Sequence, residues 1–421
     1  MTDYNSELLV LPAADDPALV DQFFRTLGYA YYGVADVAEV YAIGHRLPPG
    51  DAQGQYETWR AAANRYLEIG ERKLAAGHKV SARRAFLRAA EYHRASHFQL
   101  RENLWDPAVL AAVEDMARAA DAGYALAANY EARRIAIPFE GKELLGVVFA
   151  RGGEWSVRRP TIFAITGYDS FVEEYYQIAA VEDAIARGYN VAIVDGPGQG
   201  HTLLRHRLFM RPDYEAVLPP CLDWLSEQGF AAPDRIAVLG RSFGGYLVPR
   251  GLLGEERPCA MIVDPGQISF RDALLGRMPE AIGAAFEAGD RKTVDGFFAK
   301  AMASKPGLRF FFMSRAAVHG CTTPFDYLVE MMRFDFRDRA GEITVPAFVT
   351  DNPHDFATRG KHLYDALVKV ETKTLVQFET AEPTAETRTG GGAHCEQGYN
   401  LPFEMAAFDW LSDLIVHKDE G

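Results

Sequence analysis

The chain has 421 residues, 48% of them hydrophobic and 24% charged, enough to bury a full core and to build more than one structural unit. A formal net charge of −14 argues against nucleic acid or an anionic membrane as partner. No apolar run has the length of a membrane span, the first residues lack the basic and apolar regions of a signal peptide, and Cys221, Cys259, Cys321 and Cys395 have neither disulfide-framework nor zinc spacing. The expectation is a reduced, soluble, cytoplasmic protein with no metal and no cofactor.

From about residue 17 to 130 helical periodicity dominates. It is clearest over 79–100, where Ala82, Phe86, Ala89, Ala90 and His93 form one stripe and Arg83, Arg84, Arg88 and Arg94 lie mostly off it. A second helix is expected over 56–75, with Gly77 and His78 in the turn between. From about residue 132 strands alternate with helices, the pattern of a mostly parallel sheet covered on both faces. Residues 133–138 and 144–150 read as an opening pair. Strands follow at 161–165 and 190–194, flanking a helix over 172–187, and then at 234–239, 260–263, 345–349 and 372–378, with a closing helix over 405–416. Between 268 and 342 the alternation stops and helices rich in Phe and Met return. The expected organisation is a helical N-terminal cap over 1–130 and a catalytic domain over 131–421 that carries a helical lid insertion at about 268–342.

The strand at 234–239 runs into Gly240-Arg241-Ser242-Phe243-Gly244-Gly245, and a helix begins near Tyr246. Strand, Gly-x-Ser-x-Gly, helix is the nucleophile elbow of the α/β-hydrolases. The serine must sit on a strained turn with its Oγ clear of the backbone, so the positions two before and two after it cannot carry bulk. A serine also needs a base, and the base an orienting acid, in the chain order Ser, acid, His. His394, in the glycine-rich stretch after the last strand, is the candidate base. Asp355 is the preferred acid, with Asp351 and Asp264 as alternatives. The amides of Phe243 and Tyr168 are the expected oxyanion donors. Asp169, beside Tyr168, is either an auxiliary acid or the N-cap of the following helix.

Some features read as plain structure. His93 and His97 are one helical turn apart but have no acidic partner at metal-ligand spacing. Residues 195–200, Asp-Gly-Pro-Gly-Gln-Gly, lack the lysine of a P-loop and read as a strand-exit turn. The aromatic clusters at Phe310-Phe311-Phe312 and at Phe23, Phe24, Tyr29, Tyr31 and Tyr32 are expected in the core, with some lining a pocket for an apolar or aromatic substrate.

Several segments together carry a more specific resemblance: residues 81–92, Gly167-Tyr168-Asp169-Ser170 followed by Glu173-Glu174, residues 195–200, residues 240–246, and Ala393-His394-Cys395. The chain resembles the capped α/β-hydrolases that include 2,6-dihydropseudooxynicotine hydrolase and the fungal melanin-pathway enzymes that shorten polyketides. The resemblance implies a helical N-terminal cap, a triad of Ser242, Asp355 and His394, hydrolysis of a C–C bond next to a carbonyl or of an ester in a small molecule, and often a homodimer. It also implies an extra acid in the oxyanion loop, which here falls on Asp169, shorter than the expected glutamate. Acyl transfer through the same acyl-enzyme and a non-catalytic binding role are the rival readings. A prolyl-oligopeptidase-type peptidase would need a propeller that is absent here.

Overall fold

The computed structural model describes residues 17–351, 359–378, 394–396 and 398–419. The chain divides into two compact units. The first takes the described residues up to Ala128 together with Lys292–Ala317 and Cys321–Pro324, so the helical stretch expected as a lid is shared between the units. Its helices include Pro17–Gly28, Val37–Gly44, Ala52–Ala75, Lys79–His97 and Pro107–Tyr124. Asp51 caps the third through the Gly54 amide at 3.0 Å, and Asp106 caps the fifth through the Ala108 amide at 2.8 Å, ahead of a proline at the first helical position. Leu19, Phe23, Val40, Ile43, Trp59, Ala63 and Tyr92 meet in its core.

One expectation for this unit is corrected. Arg94 does not lie off the buried stripe; it is 2% exposed. Its guanidinium donates to Glu91 Oε2 at 3.0 Å, Gln22 Oε1 at 2.9 Å and Thr26 Oγ1 at 2.8 Å. Charge and hydrogen bonding satisfied together let a cation sit where periodicity alone would place solvent.

The second unit is built on a sheet with eight strands among the described residues: β1 (Tyr130–Phe139), β2 (Lys142–Arg151), β3 (Arg159–Ile165), β4 (Asn190–Asp195), β5 (Ala231–Arg241), β6 (Ala260–Asp264), β7 (Ala347–Thr350) and β8 (Lys373–Val376). Their order across the sheet is β1-β2-β4-β3-β5-β6-β7-β8. The first pair and the β2–β4 pair are antiparallel; all later pairs are parallel. Strands β4 and β6 are buried throughout and β3 from Thr161 on, with apolar residues along their middles because both faces are covered. The helix expected over 172–187 is two helices, Val172–Ile178 and Val181–Ala186, broken where Ala180 takes a φ of 45°. From β3 the chain moves outward on one side to β4 and then returns to the other side of β3 as β5. The loops leaving the C-terminal ends of β3 and β5 therefore diverge, and a crevice at such a switch point is where open α/β sheets bind ligands.

Candidate active site

β5 delivers Ser242 to that switch point. The turn between β5 and the helix Gly244–Gly251 holds Ser242 at a φ of 57°. This left-handed backbone costs a residue with a Cβ roughly 1–2 kcal/mol. The surroundings enforce it. A Cβ on Gly240 would run into the Gly244 carbonyl oxygen, and one on Gly245 into that of Pro265. The Ser242 amide donates to the Asp264 carbonyl at 2.8 Å. The Tyr175 hydroxyl accepts from the Arg241 amide at 2.8 Å and donates to the Arg241 carbonyl at 3.1 Å, bracing the strand end.

His394 comes to the same point: its Nε2 lies 2.8 Å from Ser242 Oγ. The preferred acid, Asp355, lies outside the described residues. Both alternatives are occupied elsewhere. Asp264 accepts from Arg241 Nε at 2.5 Å and from Thr350 Oγ1 at 2.6 Å. Asp351 takes two bonds from Arg359, at 2.9 and 2.5 Å. Burial alone would raise the Asp351 carboxyl, but the Arg359 guanidinium and nearby backbone amides bring it below its ordinary value.

Phe243 is the N-cap of the elbow helix, and Tyr168 follows β3 in the facing loop, with the two rings edge to face at 4.6 Å. The Tyr168 hydroxyl is hydrogen-bonded to His319. Asp169 is half-buried in this loop, and the N-cap of the next helix is Phe171, not Asp169. Phe243, Tyr246, Phe270 and Phe334 cluster around the elbow with ring centroids 5.1–5.8 Å apart.

Two supports escaped the sequence reading. Gln199, in the glycine-rich turn after β4, donates through Nε2 to the carbonyls of Thr166 and Gly167, the latter at 3.1 Å, while its Oε1 accepts from the Gly196 amide at 2.6 Å. It therefore ties the loop bearing Tyr168 to the end of the neighbouring strand. Beside it, Glu173 is buried against His201 Nε2 at 2.9 Å and Arg134 at 2.6 Å. Burial opposes that charge, but the two partners hold the Glu173 carboxyl well below its ordinary value. Asp195 accepts from the His201 amide at 2.8 Å and Thr166 Oγ1 at 3.0 Å, and burial pushes its carboxyl up to about 7. The available signal was a glutamine among glycines in a strand-exit turn, where solvation would be equally consistent.

No family model matches the sequence. Hydrolase LUC6 of a Fusarium species is 32% identical over 418 residues, covering 95% of this chain and 97% of that protein. The chain belongs to the α/β-hydrolase family. Hydrolase acrC of Aspergillus aculeatus is 30% identical to this α/β-hydrolase, over 94% of its length and 96% of the relative. The crystal structure of 2,6-dihydroxy-pseudo-oxynicotine hydrolase shares its fold, with a TM-score of 0.70 over 93% of this hydrolase and 96% of that chain at 21% identity. Among the described residues of the hydrolase no helix is long and apolar enough to cross a membrane.

Proposed function

We propose that this enzyme is a serine hydrolase in which Ser242 attacks the carbonyl of a small apolar or aromatic substrate, breaking an ester or a C–C bond adjacent to the carbonyl. The observation that carries the reading is the 2.8 Å separation of His394 Nε2 from Ser242 Oγ on a positive-φ elbow. His394 takes the hydroxyl proton as Oγ attacks, and the Phe243 and Tyr168 amides receive the oxyanion. Asp355 orients the imidazole; the engagement of Asp264 and Asp351 by their own arginines supports that choice.

Collapse of the tetrahedral intermediate expels the leaving group and leaves an acyl-serine. An ester releases an alkoxide that takes the proton from His394. A C–C substrate releases a carbanion, which must be stabilised by a neighbouring carbonyl or ring and protonated as it leaves, by His394 directly or by a protonated Asp169 that then takes the proton from His394. Water activated by His394 then frees the acid and restores Ser242. The ring cluster of Phe243, Tyr246, Phe270 and Phe334 supports an apolar or aromatic substrate.

The test is turnover of an aryl ester and of an acyl-arene or β-diketone by the enzyme and its S242A variant. S242A is expected to lose roughly 10⁴-fold or more in kcat on whichever substrate is turned over. Retained turnover in folded S242A overturns it.

A further inference from the structure

The residue before the nucleophile is an arginine with almost no exposure. Arg241 ends β5 and its side chain is 2% exposed. A buried guanidinium offers five donors in a rigid fork, and the distribution of those donors shows what it joins. Nε donates to Asp264 Oδ2 at 2.5 Å, on the adjacent strand β6. One terminal nitrogen donates to the Ile178 carbonyl at 3.1 Å. The other donates to the Cys395 carbonyl at 2.6 Å and to Glu396 Oε2 at 3.1 Å. The Phe403 ring closes the remaining side, its centroid 4.1 Å from the guanidinium carbon.

Cys395 directly follows His394, and both it and Glu396 hold positive φ angles, 55° and 46°. Residues with a Cβ do not keep that backbone without being held. A second tie runs in parallel: the Asp264 carbonyl accepts from the Ser242 amide at 2.8 Å and from Cys395 Sγ at 3.5 Å. The neighbours of the nucleophile and of the base thus hang on one buried ion pair. Burial, and then the charge of Asp264, push the Glu396 carboxyl well above its ordinary range, so it keeps its proton and the cluster stays close to charge balance.

We propose that Arg241 is a positioning residue: by gripping the Cys395 carbonyl while anchored on Asp264, it sets the His394 imidazole over Ser242. The assignment rests on the reading of Ser242 and His394 as nucleophile and base. A lysine keeps the charge but cannot reproduce the fork, so it cannot hold Asp264 and the Cys395 carbonyl together. A misplacement of about 1 Å between reacting groups costs on the order of 100-fold in rate.

The experiment is the reaction of a fluorophosphonate probe with the full-length enzyme, reading both labelled sites per chain and labelling rate, alongside kcat and KM on an aryl ester. For R241K the expected result is full occupancy reached about 100-fold more slowly, with kcat reduced in parallel and KM within about threefold. Fewer labelled sites at the wild-type rate would mean that Arg241 serves only folding, and overturns the proposal. Full occupancy at the wild-type rate overturns it as well. The double variant R241Q/D264N removes the ion pair as a unit and decides by the same two readouts if R241K does not fold. Labelling that survives in S242A points instead to failure of the nucleophile assignment.

Discussion

The turn that holds Ser242 in a left-handed backbone has a bare, closely packed glycine two positions away on either side. That makes Gly240 a position where one methyl matters. The variant G240A pushes a Cβ into the Gly244 carbonyl oxygen and is expected to cost about 1–3 kcal/mol, read as a lower midpoint in urea at unchanged m-value. His394 is the other residue whose chemistry is specific: as the group 2.8 Å from Ser242 Oγ, it is expected to lose roughly 10⁴-fold or more in kcat when replaced by alanine, in steady-state kinetics on the best substrate found. A loss under tenfold would mean that some other group takes the serine proton.

At the scale of elements, the loop after β3 is shaped by its neighbour. Gln199 holds two of its carbonyls, so, on the oxyanion role proposed for the Tyr168 amide, Q199A should let that amide drift. The expected effect is a fall in kcat of about tenfold or more, short of the roughly 10²–10³ lost with a whole oxyanion donor, and little change in KM. A KM effect at unchanged kcat would place Gln199 in substrate binding instead. The strands and the elbow were legible because their signals are local: apolar β-branched runs, and two glycines whose absent side chains fit the turn. The gap between Val172–Ile178 and Val181–Ala186 was not legible, since no glycine or proline marks it and Ala180 alone takes the positive φ. Partnerships across the chain were equally hidden. Arg94 reads as a surface cation until Glu91, Gln22 and Thr26 surround it, and nothing in the sequence assigns Arg241 a role until Asp264 and Cys395 meet it. Of the three candidate acids, spacing could rank them, while only packing shows that two already belong to arginines.

For the whole molecule, buried titratable groups set the response to acid. Burial pulls His93 down to about 4 and, with the charge of Arg333 adding, His319 to about 3; burial also carries His97 well below its ordinary value. In each case the unfolded chain takes up the proton first. The stability these imidazoles confer is whole above about pH 6.5 and is lost as pH falls towards the folded pKa, at about 1.4 kcal/mol per pH unit for each. Asp195 and Glu396, raised by burial, act in the opposite sense, because the folded state holds their protons more tightly as pH rises above about 4. Among these described groups, three imidazoles against two carboxyls leave a net fall in stability from about pH 6.5 to 4.5. Chemical denaturation across that window should show it, and H319Q, whose amide can still bond the Tyr168 hydroxyl, should flatten the profile by about 1.4 kcal/mol per pH unit. An unchanged slope in H319Q would contradict the assignment of a buried neutral imidazole.

The most direct test of the catalytic pair is to map a fluorophosphonate adduct by peptide mass spectrometry in the native enzyme and in its S242A and H394A variants. One adduct is expected on Ser242, none at that position in S242A, and formation slowed by roughly a thousandfold or more in H394A. An adduct on a different residue, or labelling of Ser242 at the native rate without the imidazole, would contradict it.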